Sequence, residues 1–587
     1  MSAPEWRLSF GANLVEPGRT RFRIWAPAQR AMAVAIADRP LQPMARSDDG
    51  WFTAEADCGA GTQYRYVLQD GTRVPDPAAR AQSGDVHGAS VVIDPASYHW
   101  RCRDWRGRPW KDAVFYELHV GAFGGFAGVT RELPRLTDLG ITAVELMPIA
   151  EFPGARNWGY DGVLPFAPES SYGSPDELKA LIDAAHDHNL MIFLDVVYNH
   201  FGPDGNYLHA YAPEMFRSDV ATPWGPAIDF RRKEVRRYFT DNALYWLIEY
   251  RFDGLRLDAV HAIPEPDWLD EMAATVRGTI EPGRQIHLVL ENDDNTAHRL
   301  ARYFDAQWND DGHHALHVLL TGEREGYYAD YADAPAARLA RCLKEGFIYQ
   351  GEPSPYRSGK PRGTDSTDLP PTAFVLFLQN HDQVGNRAFG ERLTALVDPA
   401  ALEAAVALQL LCPQIPLIFM GEEQASVAPF LFFTDHNPDL AKAVREGRRR
   451  EFAEFSKFSN SEHLAKIPDP NLVDTFERSK PIAHPAHAGE RERLYRHLLA
   501  IRHTEIVPRL DGARALDARA VGPAAVLARW RLGEGSLLIL GSNFAATPVA
   551  IPQQNQNLLF ATSEAAGRAA RDGTLEGYST VALSGPQ

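Results

Sequence analysis

The stretch FDGLRLDAVH, residues 252–261, places an arginine and an aspartate two positions apart inside an otherwise apolar run. Side chains of a strand alternate between its faces, so Leu255 and Leu257 share one face while Arg256 and Asp258 share the other. Leaving one buried charge unpaired costs several kcal/mol. The two residues therefore need each other or a polar site, and what surrounds them decides which.

Seven further apolar runs flank this one: AVFYELHV (113–120), AVELMPI (143–149), MIFLDVV (191–197), HLVLEND (287–293), FDAQWND (304–310), FVLFLQNHD (374–382) and IPLIFMGEE (415–423). Helical patterns separate them. Ser174-Pro175-Asp176-Glu177 ahead of LKALIDAAHDH is a capping box with proline at the first helical position, and Val235 to Ile248 carries an amphipathic helical period. Apolar strands alternating with helices argue for a parallel sheet covered on its outside, and eight such units predict an α/β fold, a (β/α)8 barrel with its site at the C-terminal strand ends. In that fold Arg256 and Asp258 point inward near the mouth of the fourth strand. An Arg–Asp pair that merely plugs the barrel is the structural alternative. The fifth run, however, places Glu291 at an equivalent height and the seventh ends in Asp382. Three carboxylates around one mouth are hard to explain as packing.

Outward from the barrel the rhythm changes. Short alternating runs from Arg21 to about Pro95 predict an antiparallel β-sandwich, and ARALDARAV, AAVLARWRL and SLLILGSNF after Arg502 predict a terminal β-domain. The expected division is 1–97, 98–505 and 506–587, with loops inserted in the barrel at 199–229 and 312–371 as lids or binding walls. No internal repeat stands out. A net charge of −17 and a pI near 5.6 argue against nucleic acid or an anionic membrane as partner. The opening MSAPEWRLSFGANLVEPG shows no basic stretch followed by an apolar one, and no run approaches a membrane span, so a soluble, cytoplasmic protein is expected. Cys58, Cys102, Cys342 and Cys412 form no CxxC or Cys/His cluster and are expected as reduced thiols. Most of the 12 Trp and 20 Tyr belong to the core; the rest could stack on sugar rings.

Two carboxyl groups flanking a glycosidic bond are what glycoside hydrolysis requires, and a retaining enzyme needs them roughly 5 to 5.5 Å apart, which adjacent strands could supply. Asp258 would be the nucleophile, held ionised by Arg256. Glu291 would be general acid and then base, needing a raised pKa. Asp382 would bind hydroxyls and stabilise the oxocarbenium-like transition state.

DVVYNH (195–200), GLRLDAVH (254–261), the glutamate of LVLEND (288–293) and LQNHD (378–382) resemble, in order, the four signature regions of the α-amylase superfamily. The resemblance implies the same three catalytic roles, and a subsite for the attacked glucose lined by Asp195, His200, Arg256 and His381, with Tyr160 of NWGYDG stacking on the sugar. FLQNHDQVGNRAFGERL (377–393), AQWNDDGHHALHVLLTGE (306–323), GYYADY and FYELHVGAF, with FRIWAPA and DPAARAQ earlier, are similar to the malto-oligosyltrehalose trehalohydrolases within it. That resemblance implies cleavage of the α-1,4 bond next to a terminal α,α-trehalose unit, maltooligosyltrehalose and maltooligosaccharides as ligands, and metabolic coupling to an enzyme that forms the trehalose-ended substrate. Candidates for trehalose contact are His261, Asn309, Asp310 and Gln383, each with loop support as its alternative role. ENDDN after Glu291 lacks the aromatic or small residues that many amylases place there. Asn199 matches a calcium-binding position of many amylases but has no companion oxygen ligands, so neither a metal nor a cofactor is expected.

Three other activities fit the same site, those of a branching enzyme, a debranching enzyme and a general α-1,4-glucan hydrolase. A non-catalytic glycan-binding barrel is the alternative of another class, and the intact set of Asp258, Glu291 and Asp382 argues against it.

Overall fold

A computed structural model of the chain describes residues 6–453 and 461–586; the first five residues of the opening stretch lie outside them. Eight parallel strands close into a barrel: β1 (Phe115–Leu118), β2 (Ala143–Leu146), β3 (Met191–Val196), β4 (Gly254–Leu257), β5 (His287–Leu290), β6 (Ala306–Trp308), β7 (Phe374–Phe377) and β8 (Ile415–Phe419). Each lies inside one of the eight apolar runs, which are continuous because a barrel strand is buried on both faces. Phe115, Ala143, Phe193, Val289, Trp308, Phe377 and Leu417 fill the lower interior. Gly254 makes room for this filling, since a Cβ there would sit 2.1 Å from the ring of Phe193. The register pairs Leu257 with Leu290, so Asp258 and Glu291 leave neighbouring strands at one height.

Local signals place the covering helices. Helix α1 (Pro175–Asp187) starts at the capping box, where Ser174 Oγ accepts from the Glu177 N–H at 3.2 Å and Glu177 Oε2 from the Ser174 N–H at 2.7 Å. Helix α2 (Lys233–Ile248) leads into β4.

The insertions are more regular than loops. Segment 199–229 holds a short helix and a hairpin of Phe216–Thr222 with Gly225–Ile228. Segment 312–371 begins inside helix α3 (Asp310–Thr321) and carries helix α4 (Pro335–Glu345) before a two-residue-strand hairpin. Leu339, Cys342 and Leu343 of α4 are buried, and the Asp311 carboxylate accepts from the N–H groups of Ile348 at 2.6 Å and Tyr349 at 3.1 Å. The segment expected as a looped lid or binding wall is thus in part a helix packed into the core. Removing 327–363 would strip apolar surface from the core, so loss of the cooperative melting transition, read by calorimetry, is the expected outcome.

At the amino end a four-stranded and a six-stranded sheet hold the strands from Gly11–Glu16 to Ala89–Val91. They dock on α2, where Tyr238 donates to the Pro77 carbonyl at 2.5 Å and Arg80 lies 3.6 Å from Glu249. At the other end the chain passes position 505/506 within a helical turn, Arg502–Ile506, that continues from helix Ala488–Ile501. A five-stranded sheet and helix Glu564–Arg571 follow. Arg502, fully buried, donates to the carbonyls of Leu410, Cys412 and Gln414, which ties the chain to the end of helix Pro399–Leu411 before it enters this sheet.

Glu151 and Glu169 form a buried acid pair beside the amino-terminal sheets. Glu151 Oε2 accepts from the Ser170 N–H, its Oε1 lies 3.0 Å from the Ser170 hydroxyl, and that hydroxyl donates to the Gly84 carbonyl. Burial first, and then Glu169, push the Glu151 carboxyl well above the usual range. The native state thus holds this proton more tightly than the unfolded chain, and stability drains away as pH rises from the usual carboxyl range into the alkaline range. Glu151→Gln keeps an acceptor for the Ser170 N–H and removes the titration. The apparent melting temperature should rise by about 1–3 °C at pH 8.5 and change little at pH 5, as read by calorimetry.

Candidate active site

Arg256 is the centre of the barrel mouth, with no exposed surface. Its Nη1 donates to Asp195 Oδ2 at 2.6 Å and to Asp258 Oδ1 at 2.9 Å, and its Nη2 lies 2.8 Å from Glu291 Oε2, an ion pair outside hydrogen-bond alignment. The guanidinium carbon sits 4.1 Å over the ring of Trp308. Burial works against this charge, but Asp195, Glu291, Tyr160 and Asp258 outweigh it and hold the guanidinium well above its ordinary value. One planar cation thereby gathers carboxylates from β3 and from the ends of β4 and β5.

The three sequence-predicted carboxylates meet at this mouth by different routes. Asp258 follows β4; its Oδ2 accepts from Asn199 Nδ2 at 2.8 Å, and the same amide donates to the Asp258 carbonyl at 2.9 Å. Asn199, considered above only as a calcium position, is here a direct partner of Asp258. Immediately afterwards Ala259 adopts a left-handed φ of 39°, sparsely populated for a residue with a Cβ. The turn brings the Ala259 N–H within 2.8 Å of Glu291 Oε2. Glu291 Oε2 thus faces a cation and a backbone donor. Asp382 stands in the first turn of the short helix His381–Gly385, where its Oδ1 accepts from Asn386 Nδ2 at 3.1 Å.

The residues expected around the attacked sugar divide into two groups. Tyr160 donates to Asp195 Oδ2 at 2.7 Å, and its ring stacks on His381 with centroids 5.0 Å apart. Burial pushes the Asp195 carboxyl up to about 7 despite Arg256. His381 lies between Tyr160 and Glu117 of β1, a residue whose role the sequence did not reveal. His200 reaches the mouth, but its Nε2 is 2.9 Å from the Tyr160 carbonyl and its Nδ1 contacts Asn199 Oδ1. Its free face is covered by Trp224 from the 199–229 hairpin, stacked at 4.8 Å.

The trehalose-contact candidates separate as well. His261 is exposed, its Nδ1 accepting from the Asp293 N–H at 3.3 Å. Gln383 is partly buried, and its Oε1 accepts from Tyr327 at 3.4 Å. Asp310 faces Glu291, Asp293 and Asp382, and burial first, then Glu291, push its carboxyl well above the usual range. Asn309 does not face the mouth. It is fully buried, caps α3 by accepting from the Gly312 N–H, and donates to the Gly346 carbonyl at 3.1 Å. An asparagine ahead of a helix in WNDDGHHALH is an N-cap signal, and that local role wins over ligand contact. Among the described residues no group of three or more His, Cys, Asp or Glu is gathered as a metal would require.

A buried Arg-gathered set of carboxylates at the C-terminal mouth of a (β/α)8 barrel, on adjacent strands, is the arrangement of a glycoside hydrolase. Residues 101–215 match the family model "Alpha amylase, catalytic domain" and residues 513–582 match "Domain of unknown function (DUF3459)". The malto-oligosyltrehalose trehalohydrolase of Deinococcus radiodurans is 41% identical, covering 85% of this chain and 84% of that protein. The one of Saccharolobus solfataricus is 43% identical, covering 76% and 80%. A crystal structure from Salmonella typhimurium, described as a candidate alpha amylase, superposes with a TM-score of 0.92 at 44% identity over 99% of this chain and 100% of that one. The chain belongs to the malto-oligosyltrehalose trehalohydrolase family of the α-amylase superfamily.

The Asn199 amide makes a prediction of its own. Asn199→Ala removes the donor to Asp258 Oδ2 while leaving Arg256 on Oδ1. Loss of a hydrogen bond to a charged group costs about 1.5–3 kcal/mol, so kcat should fall about 10- to 100-fold with KM nearly unchanged, measured by steady-state kinetics.

Proposed function

We propose that this protein is a retaining α-glycosidase that hydrolyses the α-1,4-glucosidic bond next to the terminal α,α-trehalose unit of maltooligosyltrehalose, releasing trehalose and a maltooligosaccharide. The observation that carries the reading is that relatives named for this activity align over most of both chains, 84% of the Deinococcus protein and 95% of the one from Rhizobium sp.. A 1,4-alpha-glucan branching enzyme of Pseudoalteromonas atlantica, by contrast, aligns over only 44% of this chain. Solved pullulanases share the fold at a TM-score of 0.71 with 17% identity.

The geometry supports the following course. Asp258, with an acidic oxygen on Arg256 and the other on Asn199, is oriented as the nucleophile toward the anomeric carbon. As its negative charge passes into the new C–O bond, Glu291 gives up its proton and becomes the carboxylate that faces Arg256. Glu291 has Oε2 engaged by Arg256 and Ala259, which leaves Oε1 to carry the proton given to the trehalose oxygen as the bond breaks. The same oxygen then takes a proton from the water that attacks the glycosyl-Asp258 ester, restoring both carboxyl groups. Asp382, beside His381, faces the charge that develops on the ring.

The reading carries with it an upstream enzyme that forms the trehalose-ended chain. The cytoplasm is the proposed compartment, supported by four cysteines that are all free. Among the described residues no helix is long and apolar enough to cross a membrane.

Incubation with maltopentaosyl-trehalose and, separately, with maltoheptaose tests the substrate. Rapid release of trehalose from the first, with slow or no cutting of the second, is expected on chromatography; equal cutting of both would return the function to a general α-1,4-glucan hydrolase. Asp258→Asn should abolish turnover and retain binding by calorimetry. Glu291→Gln should lose activity that azide restores on a substrate with a good leaving group, and a rate like wild type would remove Glu291 from the acid/base role.

A further inference from the structure

Glu117, inside the barrel on β1, is used by none of the steps above. Its Oε1 lies 2.5 Å from His381 Nδ1, and its Oε2 accepts from the His381 backbone N–H at 3.1 Å. Both side chains are 1% exposed. A carboxylate that grips both the ring and the backbone of one residue fixes the rotation of that ring, and Tyr160 packs on its face with Trp158 edge-on at 5.6 Å. The remaining nitrogen, Nε2, lies 3.5 Å from Asp382 Oδ1 at the mouth.

We infer that Glu117 is a positioning residue that holds His381 as an imidazolium, so that its Nε2–H is a permanent donor to the sugar bound beside Asp382. The inference rests on the reading of this mouth as a glycoside-binding site. Its physical content is the fate of Nε2. An imidazole with its only proton on Nδ1 would turn a lone pair toward the sugar next to the acceptor Asp382, and the ring would offer no donor there.

The groups facing the ring come from several elements. Asp382 and Glu117 are the nearest anions, Arg256 faces it from β4, and Tyr160 lies against it. His119 also faces it but is held down to about 4 by burial, so it adds no charge near neutrality. Burial opposes the imidazolium; Asp382 and Glu117 outweigh it and raise the group to about 9. Glu145, the Cα partner of Glu117 on β2, finds no protein partner for either oxygen, and burial, then Glu117 and Asp195, push it well above the usual range. Burial thus favours the neutral form of Glu145, and Glu117 is the carboxyl in direct contact with the ring.

The test reads His381 directly and without substrate. In the 15N-histidine NMR spectrum of the full chain, with the resonance assigned by His381→Asn, both ring nitrogens should stay protonated until about pH 9. Glu117→Gln should lower that titration by about 1 to 3 units. The alkaline limb of kcat/KM on maltopentaosyl-trehalose should move down by the same amount with KM raised, and in a His381→Asn background Glu117→Gln should leave the pH profile where it is. A ring already neutral at pH 7 in the wild type, a titration unmoved by Glu117→Gln, or an equal pH effect in the His381→Asn background would each overturn the inference. The wild-type titration decides by itself if Glu117→Gln does not fold. A wrong substrate assignment shows differently, as absence of trehalose release by the wild type with the NMR titration intact.

Discussion

The site depends on a single buried cation. Asp195, Asp258 and Glu291 all converge on Arg256, which has no contact with solvent. Three carboxylates packed together without it would repel in a medium that screens poorly, and burial would drive them to the neutral acid. The nucleophilic role proposed for Asp258 needs the ionised form, so the guanidinium is a condition of that chemistry and also of the fold around it. A lysine could not replace it, because a point charge cannot bind separate carboxylates through both ends of a planar fork while its face rests on Trp308.

The barrel interior is arranged around that cation. Within the strands, the inward charged residues come from one half, Glu117, Glu145, Asp195 and Arg256 on β1 to β4, whereas Val289, Trp308, Phe377 and Leu417 on β5 to β8 are apolar. The apolar half and the Phe115–Phe193 layer make the floor of the site a low-dielectric surrounding, which strengthens each charge pair above. Gly254 belongs to this design in the opposite sense: by lacking a Cβ it lets Phe193 occupy the space beneath Arg256. The resulting floor is rigid, and it makes the positions of Asp258 and Glu291 a matter of strand register.

The inserted segments complete the mouth from above. Arg357 contacts Asp293 and pairs with Asp294 at 2.9 Å, and Arg362 lies 2.9 Å from Asp293 and 3.1 Å from Asp311. The chain just after Glu291 is thereby clamped to the 312–371 segment, and the segment to α3. The acidic run ENDDN, unusual beside the proposed acid/base residue, has its physical reason here: Asp293 and Asp294 are the anchors for two arginines.

What the sequence by itself determined is whatever obeys a local period. All eight barrel strands, the capping box of α1 and the inward pair of Arg256 and Asp258 follow from alternation and helical spacing, because a strand buried on both faces and a capped helix need specific residue types at fixed intervals. Glu291 and Asp382 were legible because each ends such a strand, and the resemblance of four short motifs supplied their roles. Only the tertiary structure decided the rest. Asn199 donating to Asp258, Glu117 gripping His381 and Trp224 covering His200 join residues 59, 264 and 24 positions apart, respectively, with no periodic signal between them. The buried role of Asn309 and the helical core of the 312–371 segment were likewise hidden. A side chain near a strand end turns inward or outward according to what packs beside it, and a helix flanked by Pro and Gly reads as loop until its apolar face finds a partner.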